Sequence, residues 1–235
     1  FPTRRSSDLV FDEIWPRFLV TIRMSLLILV ISVCVGVPVG IYSAVRQYSL
    51  WDTVPTMMAF FLAAVPSFVI GMVLMYFFAL KINIFPSFGL SGLKSYILPV
   101  SAVAISEAAA YLRFTKSSML EAIRQDYVRT ARGKGVPERT VIWKHAMRNA
   151  LLPVITCVGM RFGVLLAGMV TTERLFSIPG IGSLIVDSIS KKDEPVIIAA
   201  SILIASAFTM LMLLVDIAYA YVDPRIRAKY SRLER

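Results

Sequence analysis

Five long apolar runs constrain this sequence more than any other feature. They lie at about residues 20–45, 54–80, 96–112, 149–172 and 196–222, and each holds at most a few charged residues. Because a helix rises 1.5 Å per residue, about 20 apolar residues cross the roughly 30 Å hydrocarbon core of a bilayer. Hydrophobic residues make up 57% of the chain of 235 residues. We therefore predict an all-α polytopic membrane protein with about five transmembrane helices.

The net charge of +10 has two interpretations. Nucleic-acid binding would need an exposed basic surface with steep salt dependence. Cytoplasmic loops of membrane proteins also carry an excess of Lys and Arg. The basic residues here lie beside apolar runs without interleaved aromatic residues, so we favour the second interpretation and expect no nucleic-acid partner.

One basic loop, residues 113–148, separates the third and fourth runs. It holds nine Lys/Arg against three acidic residues. If this loop is cytoplasmic, five alternating spans place the loop at Arg46 and the C-terminal tail on the same side. The inner side then carries fifteen Lys/Arg and the outer loops five. This asymmetry predicts a multi-pass membrane protein with a cytoplasmic C-terminus.

The basic loop has helical periodicity. Apolar residues recur at Leu120, Ile123, Tyr127 and Ala131, which predicts a short amphipathic helix. Glycines 133 and 135 end it, and a second helix is predicted from Pro137 onward to residue 148. Two short helices around a glycine turn form either a projecting surface for a protein partner or a pair lying flat on anionic lipid. The mixed charges favour the protein partner.

Three ionisable residues, Glu107, Arg161 and Asp216, lie inside or near apolar runs. Charged groups within a membrane face a bundle interior or a watery cavity. Glu107 and Arg161 either contact a zwitterionic solute in a transport pathway or neutralise each other or another subunit. Asp216 is expected to pair with a basic flank.

The sequence offers no catalytic centre. No G-x-x-x-x-G-K-[ST] phosphate loop is present, and Gly133-Lys134-Gly135 lacks its spacing. Cys34 and Cys157 both lie in apolar runs, without metal-ligand spacing. We predict no catalytic residues, no metal, no cofactor and no enzymatic activity of the chain itself.

Several motifs occur together. The basic loop contains D-Y-V-R-T-A-R-G-K-G at residues 126–135 and H-A-M-R-N-A-L-L-P at residues 145–153. Residues 113–120 read R-F-T-K-S-S-M-L, residues 173–182 fit E-x-x-F-x-x-P-G-x-G, and residues 223–225 read D-P-R. In combination they resemble the permease subunits of ABC importers, in the form of the oligopeptide/dipeptide/nickel subfamily. The wider consensus has a Glu where this chain has Arg129, and the triplet Glu107-Ala108-Ala109 lies in a span and does not fit it.

The resemblance implies an importer in the plasma (inner) membrane that moves di- or oligopeptides, or a related small solute, driven by ATP that separate subunits hydrolyse. The implied partners are a second permease subunit, two ATP-binding subunits, an extracytoplasmic solute-binding protein and membrane lipid. The implied ATPase-coupling residues are Tyr127, Arg129, Thr130, Ala131, Gly133, Gly135, His145 and Arg148. Residues 173–195 are expected outside, under the binding protein, as a re-entrant element or a plain turn. The alternative function is an ATP-independent secondary transporter or channel.

The N-terminus departs from the family pattern. The chain begins with Phe1, and residues 1–9 match the translation of a common sequencing-library adapter. We expect residues 1–9 to be such a scar and residues 10–235 to be one ABC-transporter transmembrane domain. The family's first span has no counterpart here, so we expect an N-terminally truncated fragment.

Overall fold

A computed structural model describes the backbone of residues 7–222, with all side chains in that range except those of residues 7–9, 167, 168, 216 and 218–222. It contains ten α-helices: α1 Ser7–Val45, α2 Leu50–Ala64, α3 Ser67–Leu74, α4 Ile97–Ile123, α5 Asp126–Gly133, α6 Glu138–Thr140, α7 Met147–Gly168, α8 Val170–Leu175, α9 Ile181–Lys191 and α10 Glu194–Val222. Wider π-helical turns extend α3 over Met75–Lys81 and join α6 to α7 over Val141–Ala146. The described residues form no strand, which confirms the all-α prediction.

Within the described part of the chain, four helical segments are long and apolar enough to cross a membrane: Val10–Val45, Leu93–Ile123, Glu138–Leu166 and Glu194–Val215. A fifth span is present if the pair Leu50–Ala64 and Ser67–Lys81 counts as one. This pair is bent by 100°. The break lies at Pro66. Proline interrupts a helix because it has no backbone N–H to donate and because its ring clashes with the preceding turn.

The basic loop is shorter than its charge pattern predicted. The helix of the third apolar run does not end at Leu112: α4 continues to Ile123 and includes Arg113 and Lys116. The predicted helix through Leu120 and Ala131 is interrupted before Asp126, where α5 begins. The second predicted helix starts after Pro137 but runs on into the fourth span. Residues 124–137 are therefore what separates the two long helical segments.

The chain divides into two compact units. Among the described residues, the first unit contains residues 7–30, 65–106 and 162–210. Its core joins one face of α1 to α9 and α10, through buried residues that include Ile14, Phe18, Ile181, Leu184 and Val196. Thr21 and Glu173 are buried in the same unit as polar residues.

The second unit contains residues 31–64, 107–161 and, of the described part of the C-terminal segment, residues 211–222. Here α1 packs closely on α4, because Gly36 and Gly40 have no side chain. A Cβ atom at Gly36 would lie 2.5 Å from the Ala108 carbonyl oxygen, and one at Gly40 would lie 2.7 Å from that of Leu112. Small residues four apart allow this approach between membrane helices.

Some predictions fall outside the described residues. They concern residues 1–6 and the tail from residue 223 onward, which includes the D-P-R motif and the C-terminus. The side chain of Asp216, with its predicted pairing, also lies outside them.

Candidate functional site

The predicted coupling residues form a compact body, here called the knob and defined as residues 126–148. Its turn depends on Gly135, whose φ of +78° lies in the left-handed region that glycine adopts without strain. The Lys134 N–H donates to the Thr130 carbonyl at 3.1 Å, and the Val136 N–H donates to that of Ala131 at 3.2 Å. These bonds close the end of α5, so the glycine turn predicted here is present.

A buried apolar core holds the knob against the ends of α1 and α4. Val128, Val141 and Ala146 of the knob are completely buried, as is Met119 at the end of α4. Ile41 and Ala44, near the end of α1, belong to the same core. The loop after α1 and the knob therefore lie on one side of the second unit, as the alternation of spans requires.

The outer surface of the knob is basic and partly aromatic. Tyr127, Arg129, Thr130, Gly133, Gly135 and Arg148 are exposed, His145 is half-buried and Ala131 is buried. Trp143, which was not among the predicted coupling residues, is also exposed. Six of the eight predicted residues thus lie on a surface that a partner can reach, while Ala131 belongs to the core that holds it.

A concave region of about 430 Å³ lies between the knob and the ends of α1 and α4. Arg124, Arg129 and Arg132 line it together with Glu138. The Arg132 guanidinium donates two hydrogen bonds to the Glu138 carboxylate, at 2.6 and 3.0 Å. These bonds raise the pKa of Arg132 above its ordinary value. The region remains net positive, which suits an acidic partner surface.

A buried polar cluster beside the knob was not predicted. Asp52, at the start of α2, forms an ion pair with Lys116 of α4. It also accepts hydrogen bonds from the Ser43 hydroxyl at 2.5 Å and the Tyr48 N–H at 3.0 Å. A carboxylate at the edge of an apolar run was the available sequence signal, but its partner lies more than sixty residues away. The cluster ties the start of α2 to α1 and α4.

The two charges predicted for the membrane interior are paired with each other. The Arg161 guanidinium donates to the Glu107 carboxylate at 2.7 and 3.0 Å, and it lies 5.9 Å from the centre of the Tyr111 ring. The Glu107 side chain is 15% exposed, whereas that of Arg161 is 41% exposed. Of the two predicted alternatives, the structure shows Glu107 and Arg161 paired with each other, and the Arg161 side chain remains partly exposed.

The motif at residues 173–182 closes around a buried carboxylate. Glu173 Oε1 accepts from the Thr21 hydroxyl at 2.5 Å, and Oε2 accepts from the Ser183 N–H at 2.8 Å. The Gly182 N–H is a third donor. Burial raises the pKa of Glu173, although these donors and the charge of Arg17 oppose the rise. The carboxylate therefore acts as the N-terminal cap that α9 otherwise lacks.

Glycine 180 and Phe176 of that motif are explained by the same packing. A Cβ atom at Gly180 would lie 2.1 Å from the Glu173 carboxyl group, so only glycine fits there. Phe176 is buried, and its carbonyl accepts from the Gly89 N–H at 2.8 Å. The segment after α8 is an ordered turn leading into α9.

Comparison with known proteins agrees with these features. Residues 36–228 match the model of the family described as binding-protein-dependent transport system inner membrane component. The glutathione transport system permease protein GsiC of Salmonella choleraesuis (strain SC-B67) is 39% identical over 220 residues, which cover 94% of this chain and 72% of that protein. GsiC of Escherichia coli (strain K12) is 38% identical over the same shares.

Solved structures share the fold at low identity. A chain of the MetNI methionine ABC transporter in an inward-facing conformation superposes with a TM-score of 0.75 at 15% identity, covering 93% of this chain and 100% of that one. A chain of an amino acid ABC transporter solved with histidines gives 0.67 at 15% identity, covering 91% and 94%. With its membrane-spanning helices and its match to the family model, the chain belongs to the binding-protein-dependent transport family and is a multi-pass inner membrane permease subunit of an ABC importer.

Proposed function

We propose that this permease moves a peptide-like solute into the cell, driven by ATP hydrolysed in two separate ATP-binding subunits. A second permease subunit completes the pathway, and an extracytoplasmic binding protein delivers the solute. The knob and the C-terminus face the cytoplasm. Coupling to the ATPase runs through the exposed knob residues, with Ala131 holding them in place and with Glu107 and Arg161 in the wall of the pathway.

The anchored knob is the observation that carries the proposal. A surface that receives force from an ATPase must not fold away from the helices that it moves. Val128 and Val141 are completely buried against Met119 of α4. A displacement of the knob is therefore transmitted to α4 as movement of one packed body, since close-packed interiors do not deform continuously.

The solute class is supported by the relatives. The two GsiC proteins, at 38% and 39% identity, are permeases of glutathione transport, and glutathione is a peptide. The half-exposed Arg161 adds a polar contact inside the membrane region. An ATP-independent transporter or channel, the alternative function, has no use for a basic projecting surface held by its own core.

Substitution of Gly135 tests the coupling role. Alanine at φ +78° is strained by about 1–2 kcal/mol, and Gly135→Asp adds a negative charge to the basic surface. We expect Gly135→Asp to abolish ATP-driven peptide uptake in proteoliposomes that contain all partner subunits, while the chain still inserts into the membrane. Gly135→Ala should reduce uptake less severely.

Gly133→Ala is the matched comparison. A Cβ atom at either glycine meets nothing within 4 Å, and only Gly135 has a positive φ. We expect Gly133→Ala to retain most of the uptake that Gly135→Ala loses. Unimpaired solute-stimulated ATPase activity in Gly135→Asp would contradict the coupling role, and ATP-independent uptake by the wild-type complex would favour the alternative function.

A further inference from the structure

A cavity of about 570 Å³ lies between α2, α4 and α7 in the second unit. Three cationic side chains line it: Arg113 and Lys116 of α4 and Arg161 of α7. Phe60 and Phe114 contribute aromatic surface. Its volume falls within the roughly 300–1,000 Å³ of small-molecule sites, and its lining combines apolar surface with a few polar groups, as such sites do.

The three cations differ in what neutralises them. Lys116 is paired with Asp52, and Arg161 is paired with Glu107. Arg113 has no carboxylate partner among the side chains that the structure describes, and its guanidinium lies 4.5 Å from the centre of the Phe60 ring. Among those side chains, the cavity therefore keeps one positive charge without a carboxylate partner, beside an aromatic face.

The position of Arg113 makes that charge informative. It lies within the helical segment Leu93–Ile123, which is long and apolar enough to cross a membrane. A guanidinium in such a segment must face water or an anion, because exposure to lipid tails is costly.

We propose that this cavity receives the free carboxylate of the transported solute and that the Arg113 guanidinium binds it. The inference rests on the proposed function, a peptide-like solute, whose terminal carboxylate matches the two parallel N–H donors of a guanidinium. Phe60 and Phe114 provide surface for the apolar part of the solute. Arg161, 41% exposed at the cavity wall, is a second cation within the same space.

The test measures binding to the permease–ATPase complex purified without a binding protein, because a binding protein would select the solute first. Equilibrium dialysis uses dialanine and glutathione as probes, with the complex in nanodiscs. Each probe is used as the free acid and in a form in which every carboxyl group is converted to an amide. We expect Arg113→Gln to weaken binding of the acids about tenfold or more and binding of the amides less than about twofold. Arg113→Lys, which keeps the charge, should fall between wild type and Arg113→Gln.

Lys94→Gln is the control. It removes one positive charge from an exposed position before α4 that does not line the cavity, and it should leave both probes unaffected. Equal weakening of acid and amide by Arg113→Gln would overturn the proposal, as would a wild-type complex that binds the two forms equally or binds neither. Unchanged acid binding together with loss of co-purifying phosphatidylglycerol from Arg113→Gln would identify a lipid site instead and would also overturn it.

A separate result would refute the proposed function. If the wild-type importer shows ATP-driven peptide uptake while Arg113→Gln binds acids normally, only the carboxylate site is wrong. If the wild-type importer shows no ATP-driven uptake of any peptide, the proposed function itself is wrong.

Discussion

Replacing Thr21 with valine should loosen the first unit without changing its shape. Valine and threonine have nearly the same volume, so the change removes the hydroxyl group and leaves the packing in place. That hydroxyl donates to Glu173 Oε1 at 2.5 Å and accepts from the Ile181 N–H at 3.0 Å. It therefore links α1 to the buried carboxylate and to the first turn of α9.

The expected magnitude follows from the two bonds. The Ile181 N–H becomes a buried donor without an acceptor, which costs about 1–3 kcal/mol. Glu173 keeps the Ser183 and Gly182 N–H donors but loses the third, and a hydrogen bond to a charged group contributes about 1.5–3 kcal/mol. Contributions within one network do not add fully. We expect Thr21→Val to lower the free energy of unfolding by about 2–4 kcal/mol.

Reversible denaturation in mixed micelles measures this difference, with Thr209→Val as the control. Thr209 is exposed on α10, and its hydroxyl donates to the Ala205 carbonyl of its own helix at 2.9 Å. Its replacement should change the free energy of unfolding by less than about 0.5 kcal/mol. In a Glu173→Ala background, Thr21→Val should cost clearly less than in the wild type, because the carboxylate it served is gone.

Two results would refute this reasoning. If Thr21→Val and Thr209→Val prove equally mild, the buried hydrogen bonds contribute nothing net. If the cost of Thr21→Val is the same with and without Glu173, the two side chains act independently and the cap of α9 is not what Thr21 stabilises.

Two further predictions concern charged groups. Burial raises the folded-state pKa of Glu173 above the ordinary value of 4.5. The folded chain therefore binds the Glu173 proton more tightly than the unfolded chain does. The stabilisation that this proton gives to the folded state is complete below pH 4.5 and is lost as the pH rises through the folded-state pKa. The stability of wild type relative to Glu173→Gln should therefore decline as the pH rises above 4.5, with the charge of Arg17 opposing the rise in the pKa of Glu173. A difference in stability that is independent of pH would contradict this prediction. Arg161 and Glu107 form two hydrogen bonds, so each single charge reversal should reduce the amount of folded permease in membranes and the double reversal should restore it. Size-exclusion chromatography in detergent measures that amount. No recovery in the double variant would show that the two residues do not interact mainly with each other.

The turn of the knob could be predicted because its signals are local. Gly135 supplies a left-handed backbone conformation, and Pro137 fixes the start of the next helix, so both effects are written within a few residues. The end of α4 could not be predicted in this way. Arg113 and Lys116 suggested that the apolar helix had ended. In the structure Lys116 is paired with Asp52 and Arg113 lines a cavity. Both charges are therefore accommodated, and the helix continues past them.

Contacts between distant residues explain the other differences. The four-residue spacing of Gly36 and Gly40 gained its meaning only from the backbone of α4, which approaches there. Glu173 belonged to a recognisable motif, yet its main donor, Thr21, lies 152 residues earlier. Chain separation of this kind leaves no periodic pattern, so sequence alone indicates that such a residue matters without indicating what it holds.

Asp52 and Glu173 share one design, each within its own unit. A buried carboxylate destabilises a fold unless several donors compensate for its lost hydration. Asp52 collects the Lys116 ammonium, a hydroxyl and a backbone N–H, and Glu173 collects a hydroxyl and two backbone N–H groups. Thr21 lies in the middle of α1 and Lys116 lies within α4, whereas the backbone donors lie in the loop after α1 and in the first turn of α9. Breaking either cluster leaves a buried carboxylate without its donors, which makes local unfolding of the elements that it joins costly. In the second unit these elements include the end regions of α1 and α4, whose buried apolar side chains also hold the knob.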